Sequence, residues 1–232
     1  MGVRRGMSAR KSQGAPEARV PLTRERVLRA AMGVADGHGA GAVTMRAVAS
    51  RLGVEAMSLY NHVKNKDAIL DGMVDIVVDE IDLPTDADDW REAMRRRAVS
   101  AHRAFARHPW APALMDSRTT SGPARLRYFD WVLGTLVDAG FSLEVAARCF
   151  SVLDSYIYGF GRQQLSATVG EAPPEEMAGA MLSTVPADDY PHLHRMVLLA
   201  MDVGYDAEAD FAFGLDVILD GLGQVLATET SR

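Results

Sequence analysis

One cysteine, Cys149, stands among 232 residues, so no disulfide can form within the chain, and such cysteine usage fits a reducing compartment. Aromatic residues are few, at 7%. No run approaches the roughly 20 apolar residues that a membrane span needs. The first twenty residues are basic and small and lack the apolar core of a signal peptide. The expectation is a cytoplasmic chain with no membrane partner. A P-loop, a Gly-rich dinucleotide turn, a nucleophile elbow and paired cysteines are missing as well. His192 and His194, two residues apart, diverge on a helix and make a poor metal pair. Catalysis, a bound cofactor and a resident metal are therefore not expected. Alternation with period two over strand length is also missing, as are internal repeats, which leaves an all-α fold.

Positive charge is in short supply overall, with a net of −6, but it is unevenly placed. Residues 1–66 carry twelve Lys/Arg against four Asp/Glu, and residues 67–232 carry thirteen against twenty-seven. A cationic module on an anionic body is the asymmetry expected when only one part meets phosphate. Residues 1–21, rich in Gly, Ser, Ala, Arg and Pro, show no periodicity and read as a disordered basic tail. Without them the module remains positive, with seven basic residues against three acidic in 22–66.

From Thr23 the pattern becomes helical. Thr23 is an N-cap for a first helix with Val27, Ala31, Val34 and Ala35 on one stripe, stopped by Gly37, Gly39 and Gly41. Thr44 caps a second, with Met45, Val48, Ala49 and Leu52 at i, i+3, i+4, i+7, and Gly53 follows as a left-handed turn residue. A third short helix is expected over Glu55–Val63, and Asn65 caps a fourth that Pro84 closes. Further helices are expected from Trp90 to Arg107, from about Pro123 to Gly140, from Ser142 to about Leu165, over 191–202 and over 207–228. Residues 166–187 read as a long loop. The chain thus divides into the tail, a three-helix module over 22–66, a connecting helix over 67–83 and a helical domain over 84–232.

Two short helices joined by a Gly turn have the dimensions of a helix-turn-helix. In the third helix Ala56, Leu59 and Val63 point inward, while Met57, Ser58 and Asn61 point out, flanked by Tyr60 and His62. Small, hydrogen-bonding and aromatic groups suit base edges and phosphate oxygens better than a Lys/Glu surface would. Lys64 and Lys66 follow, and Thr44, Arg46 and free backbone amides at the start of the second helix form another phosphate site. Spacing alone also fits a generic helical hairpin.

The stretch Thr23–Glu80 resembles the DNA-binding domain of the tetracycline-repressor family. The carrying residues are Val43-Thr44-Met45-Arg46-Ala47-Val48-Ala49, Leu52-Gly53-Val54, Ser58-Leu59-Tyr60-Asn61-His62-Val63-Lys64-Asn65-Lys66 and Leu70. The resemblance implies that Arg46 and the Ala56–His62 helix enter the major groove of double-stranded operator DNA. It also implies that Tyr60, Lys64 and Lys66 grip phosphates and that Thr44 caps the second helix beside the backbone. Ala56 and Met57 depart from the tetracycline repressor's residues at the front of this helix, so its operator does not carry over.

Scattered landmarks (Trp90, His108-Pro109, Gly140-Phe141-Ser142, Gly159 and Phe213-Gly214-Leu215-Asp216) resemble the carboxy-terminal domain of the same family. They imply a helical core that holds a small-molecule inducer and makes a homodimer, whose two-fold symmetry calls for a palindromic operator. The implied behaviour is repression relieved by a small hydrophobic molecule; activation by the same fold and an adaptor bundle without specific DNA binding stand as alternatives. Phe211, Leu215, Ile218, Leu222 and Val225 repeat at alternating four and three, a seam suited to facing another helix, with Gly214 and Gly221 beside it; packing into the chain's own core is the other reading of that spacing. For the ligand, the aligned positions Met115, Arg118, Val132, Ser155 and Gln163 lack the carboxylate oxygens Mg²⁺ prefers, so a magnesium-held drug is not expected. Candidate pocket residues are Arg97, Phe105, Met115, Arg118, Trp131 and Asp154. Ser155, Tyr158, Gln163, Met177 and Met181 complete the set. Asp154 and Tyr158, one turn apart on an otherwise apolar helix, are a candidate buried polar pair.

Overall fold

The computed structural model describes residues 21–230 apart from 88, 119–121, 169–173 and 205, with side chains at 165–168 and 174–178 also outside the description. The expected tail over 1–21 lies almost wholly outside the described residues. Among those described there is no strand, and they form eleven α-helices and one 3₁₀ turn.

Three of these, α1 (Arg24–His38), α2 (Met45–Leu52) and α3 (Ala56–Leu59), form the amino-terminal module. Their boundaries follow local chemistry. The Thr23 hydroxyl accepts from the Arg26 amide and the Thr44 hydroxyl from the Ala47 amide, each satisfying a donor the first helical turn leaves open, worth about 1 kcal/mol. Gly53 adopts the left-handed conformation at φ 66°, and Val54 N–H returns to the Ala49 carbonyl, closing α2 as a Schellman turn. Val27, Ala31, Val43, Val48 and Leu59 have no exposed surface and pin the three helices together.

The third helix is shorter than its expected span of 55–63. After Leu59 the chain continues as a turn, with His62 and Val63 amides both bonded to the Leu59 carbonyl. Asn65, extended at φ −164°, must cap α4 (Lys66–Asp79), so residues 60–64 are spent reversing the chain.

The linking helix α4 packs on α1 and reaches α5 (Trp90–Arg107), α6 (Ala111–Asp116) and α7 (Pro123–Asp138). Its buried side, Ile69, Met73, Val77 and neighbours, joins one hydrophobic core that runs from Val27 to Leu222. Its other side carries Asp67, Asp71, Asp75 and Asp79, four residues apart and therefore on one stripe. Arg118 donates to Asp71 at 2.5 Å and Asp67 at 3.1 Å, the Arg125 amide to Asp75 at 3.1 Å, and Arg127 to Asp79 at 2.6 Å. A second tie joins α1 to the α5–α6 corner: Trp110 Nε1 donates to Asp36 at 2.6 Å, and His108 Nδ1 lies 2.8 Å from the same oxygen.

Behind α4 stand α5, α7, α8 (Leu143–Thr168) and α11 (Ala207–Thr230). The expected loop over 166–187 is corrected in part: α8 continues to Thr168, and Pro174–Thr184 forms α9, which pairs with α10 (Pro191–Val203). Pro174 supplies a preset φ for a first helical turn, and the following Glu, Met, Ala and Leu residues are good helix formers.

The reading that no segment could span a membrane also needs correction, because α11 is long and apolar enough by length and composition. Its inner stripe, Phe211, Leu215, Leu219 and Leu222, is buried in the bundle, and Asp216 and Asp220 pair with Arg95 and Arg91 of α5. That is the pattern of a bundle helix. The same burial corrects the expected dimer seam. Phe211, Leu215 and Leu222 are interior to their own chain, Ile218 is half-buried, and only Val225 is exposed. A Cβ at Gly214 would collide with Tyr156, whose hydroxyl donates to the Phe211 carbonyl at 2.9 Å, so that close approach is internal. A four–three repeat marks any well-packed helix, whichever chain it packs on. The outward stripe of α11 is instead Phe213 and Val217, 74% and 58% exposed, with Gly221 and Val225.

Candidate functional site

Two groups of residues carry functional chemistry, one in the amino-terminal module and one in the bundle behind α4. In the amino-terminal module, Leu59 and Val63 anchor the recognition segment inward and thereby turn its other residues out. Thr44, Arg46, Met57, Tyr60, Asn61, Lys64 and Lys66 are exposed, and Ala56, Ser58 and His62 half-buried. Met57 is 74% exposed, more than a structural role would need. The expected face therefore forms on a short helix and the turn that follows it.

The electrostatics sharpen this. Among the described residues, no ion pair involves Arg46, Lys64 or Lys66, whereas Arg91, Arg95, Arg96, Arg97, Arg118 and Arg127 are each matched with a carboxylate. Cations left uncommitted beside helix amides hold a standing affinity for polyanions, because binding phosphate releases counterions. Thr44 uses an oxygen lone pair on its cap, leaving its hydroxyl proton for a phosphate.

In the bundle, α5, α7 and α8 enclose a polar cluster in the core. Arg97 has no exposed surface, Tyr128 is 1% and Asp154 7% exposed. Arg97 Nη2 donates to Asp154 and to the Tyr128 hydroxyl. Tyr128 donates to Asp154 Oδ1 at 3.0 Å, and Tyr158 to Asp154 Oδ2 at 2.9 Å. Burial, then the charge of Asp154, pushes the Tyr158 hydroxyl well above the usual phenol range; burial also raises Tyr128, against the pull of Arg97. Burial alone would lower the Arg97 pKa, but Tyr128 and Asp154 outweigh it and raise it. The rings of Tyr128 and Phe150 lie 4.9 and 5.8 Å from the guanidinium carbon, and Phe105 meets Tyr158 edge-on at 5.3 Å.

This cluster is incomplete. Arg97 Nε and Nη1 have no acceptor, and on the same helix His102 Nδ1 has no partner. An orphan buried polar group costs about 1–3 kcal/mol. His102, 6% exposed, stacks on Phe211 at 4.2 Å and meets Phe160 edge-on at 5.6 Å. Burial lowers its pKa, with Glu208 opposing and Arg103 reinforcing.

Of the pocket residues expected from sequence, the structure brings Arg97, Phe105, Asp154 and Tyr158 together. Met115 is buried, and Trp131 is half-buried at the edge of the core. Ser155, Gln163 and Met181 are exposed and line no interior; Ser155 follows Asp154 and so faces away from it on α8. Arg118 is engaged with the α4 carboxylates, and Met177 lies outside the described side chains. Tyr128, Phe150 and His102 were not anticipated. Tyr128 could have been found, since a phenol within the inner stripe Ala124, Tyr128, Val132, Leu136 needs a buried partner. Two open hollows, about 420 Å³ beside Trp90 and about 750 Å³ along α10, contain none of these residues.

A helix-turn-helix joined by one rigid helix to a bundle with a buried polar cluster defines a DNA-binding regulator with a sensory domain. The comparisons agree. Residues 27–73 match the family described as bacterial regulatory proteins, tetR family, and residues 83–226 the tetracyclin repressor-like C-terminal domain. The chain is 33% identical over 216 residues to the HTH-type transcriptional repressor DrrR1 of Streptomyces coeruleorubidus, covering 89% of this chain and 79% of that one. It is 31% identical over 213 residues to the class C tetracycline repressor protein of Escherichia coli, covering 89% and 93%. The crystal structure of the TetR family protein ActR of Streptomyces coelicolor in complex with actinorhodin superposes with a TM-score of 0.74 at 28% identity, over 89% of this chain and 99% of that one. The chain belongs to the TetR family of bacterial transcriptional regulators and is a DNA-binding protein.

Proposed function

We propose that the chain is a cytoplasmic homodimeric repressor that holds a palindromic operator through two copies of the segment 44–66 and releases it when a small molecule occupies the bundle. In this reading 22–66 bind DNA, 67–83 connect, and 84–232 sense the ligand and dimerise. The observation that carries the DNA half is the set of uncommitted cations Arg46, Lys64 and Lys66 around exposed Met57, Tyr60 and Asn61. Base contacts come from Arg46 and residues 56–62, and phosphate contacts from Thr44, Tyr60, Lys64 and Lys66. The ligand half is supported by the ActR complex and by the unsatisfied donors of Arg97. The stripe Phe213, Val217, Gly221 and Val225 is the dimer face, since an exposed apolar row on a bundle helix calls for cover.

Ligand binding in the bundle is transmitted through α4, which Arg118, Arg125 and Arg127 hold by its acidic stripe; tilting α4 changes the spacing of two recognition segments that must match half-sites about one DNA turn apart. Mobility shift on the chain's own promoter tests the reading. Specific retardation is expected, steeply weakened by salt, and Tyr60→Ala with Lys66→Ala should lower affinity at least about tenfold. Sequence-blind binding, or binding untouched by the double variant, would refute it.

A further inference from the structure

We infer that the ligand is a neutral aromatic carbonyl compound, its carbonyl oxygen accepting from Arg97 and its ring seated among the aromatic side chains of the α5–α7–α8 core; this rests on the ligand-released repressor reading above. Arg97 Nε and Nη1 lack acceptors in a side chain with no exposed surface. Guanidinium donors lie in the plane of the group, so the rings of Tyr128 and Phe150 near its carbon leave those donors unused. An acceptor from outside the chain, a water or a ligand atom, would complete them.

The charge of that acceptor follows from Asp154. Arg97 is already balanced by this carboxylate, and a second anion would leave the buried cluster with a net negative charge. A cation fares no better, because Asp154 already balances Arg97 and a second cation would leave the buried cluster with a net positive charge. An uncharged carbonyl oxygen fills the two donors without a new charge. Along the face it shares with Arg97, α5 carries Ala101 and Ala104, both fully buried, side chains that take little volume; His102, five positions on, points about 140° away round the helix and belongs to the Phe160–Phe211 side.

The test is equilibrium dialysis of the full chain against three naphthalenes of similar size: 2-acetonaphthone, 2-naphthoate and 2-ethylnaphthalene. The ketone should bind at least about tenfold tighter than the other two. Arg97→Met should bring it down to the level of 2-ethylnaphthalene, whose own binding should stay within about threefold. Since Arg97→Met strands Asp154, the variant carrying both Arg97→Met and Asp154→Leu supplies the same comparison if the single change unfolds the chain. Tightest binding by naphthoate, equal binding of all three, binding of none, or a ketone preference that survives loss of Arg97 would overturn the inference. Promoter retardation by the same preparations separates the two levels. Specific DNA binding without a ketone preference removes the ligand class and leaves the repressor, whereas sequence-blind DNA binding removes the repressor itself.

Discussion

Replacing Asp154 by leucine should be among the most damaging single changes this chain can suffer. The substitution keeps the branched outline but strands Arg97, which has no exposed surface and no other carboxylate partner among the described residues. Removing one member of a buried pair costs about 3–5 kcal/mol, because the remaining charge can neither reach water nor readily neutralise. The Tyr128 and Tyr158 hydroxyls lose their acceptor as well, at about 1 kcal/mol each. With a urea m-value near 3 kcal/mol/M, a loss of about 3 kcal/mol moves the midpoint down by about 1 M. The measurement is urea unfolding by circular dichroism at one fixed protein concentration, since any dimerisation adds to apparent stability. Combining Asp154→Leu with Arg97→Met removes the stranded charge and should recover at least about 2 kcal/mol, the remaining deficit belonging to the tyrosines. A midpoint shift under about 0.3 M for Asp154→Leu, or a double variant no better than the single one, would refute the reasoning, for either result means that Arg97 reaches solvent.

Burial keeps His102 below its ordinary pKa, so the unfolded chain binds the extra proton: the stability contributed by neutral His102 is whole above about pH 6.5 and drains away as pH falls below it. His102→Leu should therefore flatten the loss of stability between about pH 7 and 5 relative to the parent chain, and an unchanged pH profile would count against it. Phe213→Asp with Val217→Asp places charge on the outward stripe of α11 and should yield a folded monomer by sedimentation velocity; a persistent dimer moves the interface elsewhere. Arg118→Ala releases Asp67 and Asp71 at the start of α4. It should cost only about 1 kcal/mol of stability, because Asp67 is largely exposed, yet weaken operator binding severalfold in anisotropy titrations; unaltered DNA affinity would show that this clasp does not position α4.

How much of this was legible in the sequence depends on how local the cause was. Thr23, Thr44, Gly53 and Asn65 act within four residues of themselves, and the structure places each cap and turn where the sequence puts it. The outward face of 56–62 was readable because Leu59 and Val63 needed burial. Length was harder: α3 stops after four residues because the capping of α4 by Asn65 competes for the same backbone. Around α9, prolines and glycines suggested a loop, although proline at a first helical position favours the opposite. Tertiary partners were the least legible. Asp154 and Tyr158 could be paired from helical spacing, but Arg97 and Tyr128 arrive from other helices, and the four–three repeat of α11 could not say which chain it faces. Arg118 looked like a pocket residue until the α4 carboxylates showed what it holds.

The acidic stripe of α4 has an electrostatic consequence beyond holding the helix. Asp67 follows directly after Lys66, so four carboxylates run away from the very residue proposed to meet phosphate. While Arg118 and Arg127 cover three of them, a DNA backbone nearby meets a less anionic surface. Opening the clasp would bare an anionic ridge leading up to the reading head, and like charges would then face each other within about a Debye length. A movement of α4 would in that case repel the operator by charge while displacing the recognition segment by geometry, and the share due to charge alone should fade as salt is raised.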